Sequence, residues 1–338
     1  MTSGRDSSPR RVLVTGTGGP SGVAFMRALA DDPWEIYSAD IDPYAAGLYL
    51  VDPRHRMIVP RGDSETFVAE IIELCVRDRI DVLVPTVDSE LLPLAIARTE
   101  LAEHGVTLVL ASEQTLRQCL DKWALHGRCA GARRVPDTIL VDAAFDPAAC
   151  STPVIVKPRS GSGSRGVRRV DDREELARLP RDATLLVQEY LPGTEYSLDV
   201  LARGDGAIVA VVPRARLKVD SGIAVTGRTV HDESLERIGA LVAQRIGLTS
   251  VANVQVKLTS DGEPALLEVN PRFPGTMSLT VASGVNMPRL CVREALGAGM
   301  PDEVPPFAEI AMVRFLEEHF MDFSEIEALQ PGAESVRV

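Results

Sequence analysis

The chain has 338 residues, room for roughly two domains at about 150 residues each. Its 36 Lys and Arg stand against 48 Asp and Glu, a net charge of −12, so its overall field repels nucleic acid and anionic membrane surfaces. With 45 % hydrophobic residues the composition is that of a folded globular protein, and no apolar run approaches the ~18–20 residues of a membrane span.

The first segment, MTSGRDSSPRR, is polar and lacks the apolar stretch of a signal peptide. Residues 1–9 therefore read as a disordered tail. Cys75, Cys119, Cys129, Cys150 and Cys291 are odd in number and contain no CxxC pair, which argues against a disulfide framework or a thiolate zinc site. Each reads as a small buried hydrophobe, and the compartment as cytoplasmic.

From Arg10 to about Leu120, short apolar runs (RVLVTG, EIYSADI, RMIVP, DVLVPT, VTLVLA) alternate with helical periods such as Val68, Ile71, Ile72 and Cys75. Strands alternating with helices predict a parallel, doubly wound, Rossmann-like sheet. In this domain TGTGGPSG (Thr15 to Gly22) follows the first strand, where a dinucleotide pyrophosphate could rest on a helix N-terminus, with Asp40 and Asp42 placed as ribose-binding acids. The spacing departs from GxGxxG and Pro20 removes a backbone donor, so a tight strand-to-helix turn is the alternative. Glu90, after a later strand, reads either as a contact for an amine or, with Ser89, as a helix cap.

Two helical stretches, SEQTLRQCL and DKWALHGRCA, lead into a different texture. KPRSGSGSRGVRR (Lys157 to Arg169) holds five basic residues and no acidic one. A Gly/Ser loop between antiparallel strands can cradle a polyphosphate with backbone N–H groups while a strand-end lysine supplies charge; a solvated basic hairpin is the alternative. Strands at TLLVQEYL and beyond are interrupted by one helix, whose Leu235, Ile238, Val242 and Ile246 share a face. In PRARLKVDSG, alternation puts Arg214, Arg216 and Lys218 on one strand face, either to hold substrate carboxylates or as an exposed basic strand. The last forty residues offer only a strand at EIAMVRFLEE.

VANVQVKLTSDGEPALLEVNPR reads as a hairpin about a two-residue Asp261-Gly262 type I′ turn. Ser260 then faces Glu263, Gln255 faces Glu268 and Asn253 faces Asn270. Val254, Val256, Leu258, Ala265, Leu267 and Val269 form an apolar face, with Asn253, Gln255, Lys257, Glu268 and Asn270 on the other. One carboxylate flanked by the amides of Gln255 and Asn270 is a donor set for a hard cation such as Mg²⁺ shared with phosphate oxygens. Arg272 follows two residues later, where a guanidinium could clamp a transferring phosphoryl group.

VIVKPRSGSGSRGV, VQEYLPGTEYSLDV, NVQVKL and LLEVNPRFPGT, in that order, resemble the ATP-grasp superfamily, and within it the branch similar to one half of the carbamoyl phosphate synthetase large subunit. The resemblance covers residues 10 to about 300. It implies α/β and α+β architecture: a Rossmann-like domain (10–120), then a two-lobed ATP-grasp fold with a small lid lobe and connecting helices (121–190) and a large lobe with a C-terminal extension (191–338). It implies ATP bound by Lys122, Lys157 and a loop of Ser160, Gly161, Ser162, Gly163, Ser164 and Gly166. Adenine would lie on Gln188, Glu189, Tyr190 and Leu191, and the ribose on Glu195. Two Mg²⁺, or Mn²⁺, would be held by Gln255, Glu268 and Asn270, with Arg272 and Lys157 as catalytic groups. The implied activity is a cytoplasmic carboxylate-amine ligase acting on small molecules through an acyl phosphate, compatible with a homodimer. A carboxylase or carboxylate kinase of the same fold is the alternative, and an NAD(P)-dependent oxidoreductase resting on Thr15–Gly22 and Asp40 the more distant one. The histidines receive no role.

Overall fold

Five short apolar strands build the first sheet of the computed structural model, which describes residues 9–131, 135–161, 163, 165–302 and 304–330. The predicted tail up to residue 8, the last eight residues, Ser162 and Ser164 lie outside the described residues. β1 (Arg11–Thr15), α1 (Pro20–Ala28), β2 (Glu35–Asp40), β3 (Arg56–Ile58), α2 (Phe67–Arg77), β4 (Val82–Val84), α3 (Asp88–Ile96), α4 (Arg98–Glu103) and β5 (Thr107–Leu108) follow in chain order. All strands are parallel, in the order β3-β2-β1-β4-β5. Val12, Leu13 and Val14 are fully buried, as a parallel strand covered on both faces requires. Because β2 and β4 flank β1, the loops leaving β1 and β4 diverge and open a crevice at the strand ends.

α5 (Glu113–Leu120) and α6 (Lys122–Cys129) then carry the chain into a second sheet. It comprises β6 (Thr138–Leu140), β7 (Val154–Pro158), β8 (Arg168–Val170), the short α7 (Arg173–Ala177) and β9 (Leu185–Glu189), ordered β6-β9-β7-β8 and antiparallel. Its core of Val141, Phe145, Val154, Val156, Val170, Leu176 and Val187 is separate from the others. β10 (Glu195–Ala202), β11 (Ile208–Asp220), β12 (Ile223–Thr229), α8 (Glu233–Ile246), β13 (Val251–Leu258) and β14 (Pro264–Asn270) form most of the third, six-stranded sheet. Asp232 caps α8 through the amides of Ser234 and Leu235, Gly247 ends it at φ +66°, and its predicted face of Leu235, Ile238, Val242 and Ile246 is buried. That face shares one core with α5, α6 and the first domain, so the large lobe and the Rossmann-like domain are packed as a unit. All five cysteines are buried and unpaired.

After α9 (Met277–Ala282) and α10 (Met287–Ala295), β15 (Ala311–Val313) adds to the edge at β12, a shorter strand than EIAMVRFLEE suggested. α11 (Ser324–Glu327) follows, and Met321, Ile326 and Leu329 return to pack on Ala45, Leu48 and Tyr49 of the first domain. Among the described residues no helix is long and apolar enough to cross a membrane.

The hairpin of β13 and β14 departs from its expected turn. Thr259 N donates to Glu263 O at 2.9 Å, Gly262 N donates to Thr259 O at 3.1 Å, and of the Asp-Gly pair only Gly262 has positive φ, +83°. The loop is therefore three residues with a left-handed glycine, not the two-residue type I′ turn. Near the turn Val256 faces Leu266 and Lys257 faces Ala265, but a bulge restores Gln255 opposite Glu268 and Asn253 opposite Asn270. Leu266 takes the core position expected of Leu267, and Leu267 turns with Glu268 to the polar face, half-buried. Leu266→Ala should cost about 2–5 kcal/mol in chemical denaturation and Leu267→Ala much less; equal losses would contradict this register.

Candidate active site

The second and third sheets face each other across a cleft, and Lys122 and Lys157 enter it from different elements. Lys122, at the start of α6 and 8 % exposed, donates to Gly161 O at 2.6 Å and lies 3.7 Å from Glu268 Oε2. Lys157, at the end of β7 and 6 % exposed, donates to Gln188 Oε1 at 2.9 Å and to Leu267 O at 3.2 Å. Burial pulls its pKa down to about 8, opposed by the Glu268 carboxylate and reinforced by Lys122. Two buried ammonium groups beside one carboxylate leave net positive charge for a polyanion.

Gly161, Gly163 and Gly166 have φ of +122°, +68° and +74°, conformations open to glycine at little cost. Ser160 and these glycines form the loop after β7, and Gly163 reaches Gly222 at the turn between β11 and β12. Of the loop's five basic residues, Arg159 chelates Asp121, while Arg168 and Arg169 pair with Glu175 and Asp171. Lys157 and Arg165 line the cleft.

Gln188, Glu189, Leu191 and Glu195 line the same cleft. Tyr190 does not line it: Arg169 and Lys257 lie over its ring at 4.6 and 5.3 Å. The apolar lining comes instead from Ile155, Val167, Leu191 and the bulged Leu267. Ile155 was legible from its i, i+2 relation to Lys157; Leu267 was not, because the bulge is invisible in alternation. Glu195 is paired with Arg216, Nε to Oε1 3.0 Å.

Gln255 and Glu268 are cross-strand partners. Asn270 Nδ2 lies 3.4 Å from Glu268 Oε1, and Gln255 Nε2 lies 3.4 Å from Asn253 Oδ1. Among the described residues no three His, Cys, Asp or Glu gather as a metal cluster. The donor set is one carboxylate with amide oxygens, which fits a hard cation that completes its shell with phosphate oxygens and water. These three side chains and Arg272 line a second cavity of about 430 Å³, which shares Gln255 and Glu268 with the cleft. Arg272 is held there by Asp88 at the start of α3, Nε to Oδ1 2.6 Å and Nη2 to Oδ2 3.1 Å.

A family model described as the PylC-like N-terminal domain matches residues 12–109, and one described as ATP-grasp in the biosynthetic pathway with Ter operon matches residues 181–319. The chain thus carries an ATP-grasp domain over 181–319, behind a PylC-like N-terminal domain over 12–109. Solved ATP-grasp structures similar to it include biotin carboxylase from Campylobacter jejuni (16% identity, 87% of this chain and 72% of that one, TM-score 0.71). L-amino acid ligase from Bacillus licheniformis is similar at 16% identity over 90% of this chain and 80% of that one, TM-score 0.70. The ADP complex of N5-carboxyaminoimidazole synthetase from Staphylococcus aureus is similar at 15% identity over 92% and 84%, TM-score 0.74. At these identities the likeness is one of fold.

Within this ATP-grasp unit the basic strand does not act as one face. Arg214 is 2 % exposed and chelates Asp199, Nε to Oδ2 2.9 Å and Nη2 to Oδ1 2.6 Å, and it also donates to Thr276 Oγ1. Asn253 and Thr280 donate to the same carboxylate at 2.8 and 2.5 Å. Its predicted contact with substrate is thus corrected to an internal ion pair. Arg216 lines the second cavity, whereas a register shift at Leu217 leaves Lys218 exposed and outside it. Arg214→Met should destabilise by about 3–5 kcal/mol, because Asp199 would be left buried and unpaired; a full-stability variant would overturn the assignment.

The glycine loop after β1 is a packing device. A Cβ on Gly16 would lie 2.2 Å from Val87 Cγ2, and one on Gly22 2.7 Å from Thr17 Cα. Gly18 N donates to Asp40 Oδ2 at 2.6 Å, so a carboxylate holds the amide that a pyrophosphate would need. Asp40, Asp42 and Glu90 all line the adjoining cavity of about 660 Å³, which sets it against a dinucleotide phosphate. Glu90 sits in the first turn of α3, whose N-cap residue Val87 makes no side-chain cap, and its carboxylate reaches back to the backbone of Val87 and Thr86. It is 3 % exposed and accepts from Thr15 Oγ1 at 2.5 Å. Burial pushes its carboxyl up to about 7 from 4.5, against the opposing pull of the Thr15 hydroxyl. A carboxyl that keeps its proton longer in the folded state adds stability below about pH 4.5 that is lost as pH rises through about 7. Glu90→Gln should flatten that loss and melt above the parent at pH values over 7; an unchanged slope in thermal melts would refute this.

Proposed function

We propose that the protein is an ATP- and Mg²⁺-dependent carboxylate-amine ligase. The observation that carries the reading is the convergence of Lys122, Lys157, Gln255 and Glu268 on one cleft, with Asn270 and Arg272 in the adjoining cavity. The adenosine would lie against Ile155, Leu191 and Leu267, with Glu195 placed for ribose hydroxyls and the triphosphate running toward Glu268 beneath the Ser160–Gly166 loop. Lys122 and Lys157 would offset phosphate charge from largely buried positions, where each charge acts more strongly than in bulk.

Gln255, Glu268 and Asn270 would hold the metal, which supplies charge neutralisation across the phosphates. The carboxylate oxygen of one substrate attacks the γ-phosphorus and ADP leaves. The amine nitrogen of the second attacks the acyl carbon of the resulting acyl phosphate, losing a proton as phosphate departs and the C–N bond forms. Arg272 would lie beside the reacting phosphoryl group, and holding the reactants in line would supply the remaining advantage. The nucleophile belongs to substrate, so no protein nucleophile is needed.

Glu268→Gln should keep the fold and thermal stability while lowering ADP and phosphate release by at least about 100-fold with a panel of amino acids as carboxylate and amine donors. Retained turnover would sink the metal assignment. Failure of the wild-type protein to bind Mg-ATP in calorimetry would sink the reading as a whole. Incorporation of labelled bicarbonate instead of amide formation would place it with carboxylases.

A further inference from the structure

His126 is a buried ring that the proposed chemistry does not use, yet its neighbours belong to the nucleotide cleft. It lies one helical turn after Lys122 on α6 and is 4 % exposed. Its Nδ1 is 3.2 Å from Thr138 Oγ1 on β6, and its Nε2 is 3.3 Å from Gln188 Nε2 on β9 and 3.3 Å from Leu267 O at the β14 bulge.

Proton counting orders these contacts. The Thr138 hydroxyl has one proton, and the nearer acceptor is Pro136 O at 2.9 Å, so toward the ring it accepts and Nδ1 carries the imidazole proton. The Nε2 lone pair then accepts from the Gln188 amide nitrogen, whose other proton goes to Thr138 Oγ1 at 2.9 Å. With its nitrogen engaged on that side, Gln188 presents Oε1 to Lys157 Nζ at 2.9 Å. A flipped amide would point its NH₂ at the ammonium. The Leu267 carbonyl also accepts from Lys157, at 3.2 Å. Two of the three ammonium protons are thereby fixed, and the third faces the cleft that Lys157 lines. A charged ring is disfavoured by burial and by the neighbouring Lys157 and Lys122, against the opposing pull of the Leu267 carbonyl, which keeps the acceptor available.

We infer that His126 is a positioning residue: as the neutral Nδ1-protonated ring it fixes the Gln188 amide, and through it the Lys157 ammonium that receives the nucleotide phosphates. The inference rests on the nucleotide-site reading of the cleft. Histidine ¹⁵N NMR of the full chain, with the His126 resonance identified by its loss in His126→Gln, should show a neutral Nδ1–H ring; an Nε2–H or cationic ring would overturn the proposal whether or not nucleotide binds. Calorimetry with Mg-ATP should show about tenfold weaker binding for His126→Leu. His126→Gln, which returns an acceptor to the amide, should bind within about threefold of wild type. On a Gln188→Leu background the His126→Leu change should weaken binding by no more than about twofold further, as expected of a residue acting through another. Wild-type affinity in His126→Leu, or full additivity with Gln188→Leu, would overturn it. Should His126→Leu fail to fold, Thr138→Val tests the same chain and should weaken Mg-ATP binding in the same direction, unchanged affinity counting against it. Absence of Mg-ATP binding by wild type would instead remove the nucleotide reading on which the proposal stands.

Discussion

The site depends on the pairing of Gln255 with Glu268 across β13 and β14. Both side chains belong to the polar face of a hairpin whose other face is fixed in the core by Val254, Val256, Leu266 and Val269. A sheet face cannot slip by one residue without burying Glu268, so burial of four apolar side chains holds the carboxylate in the cleft. The extra residue in the Ser260–Gly262 loop would have shifted that register, and the bulge between the 255/268 and 256/266 pairs cancels it. The same bulge aims Leu267 into the cleft and its carbonyl at Lys157, so one backbone irregularity shapes the apolar wall and orders a cation.

Charge is distributed to suit this arrangement. The net −12 belongs to the surface, while cations in the interior are sorted by partner. Arg214 is matched fully by Asp199, with Asn253 and Thr280 completing the carboxylate's hydrogen bonds, and serves as a buried strut beneath the second cavity. Arg159 is matched by Asp121 and ties the start of α6 to the glycine loop after β7, since Lys122 N also donates to Arg159 O at 3.0 Å. Lys122 and Lys157 share a single carboxylate, Glu268, and are the cations in excess where a polyanion would lie.

The Rossmann-like domain takes part in this site through structure. Asp88 holds Arg272, and Phe25 of α1 meets Phe273 edge-on at 4.7 Å immediately beyond it, so the domain sets the position of the arginine. A single core joins it to the large lobe, whereas the small lobe has its own core and meets the large lobe across the cleft. Its glycine loop, despite an outward likeness to a phosphate cradle, has its nearest amide neutralised by Asp40.

The sequence by itself determined the strand and helix order, the three glycine positions of the loop after Lys157, and the polar face carrying Asn253, Gln255, Glu268 and Asn270. These follow from period-2 and period-3.6 burial and from turn chemistry, which are local. The tertiary structure decided what has no local signature. It showed that Arg214 is cancelled by Asp199 and that Leu217 breaks the basic strand face. It set the bulge at Leu267 and exchanged Leu266 for Leu267 in the core. It also brought His126, four residues after Lys122 and otherwise unremarked, into a hydrogen-bonded chain with Thr138, Gln188 and Leu267. In each case the deciding partner lies on another strand or helix, and the compensation of a buried charge or polar group is a property of the packed neighbours, which spacing along one chain segment does not encode.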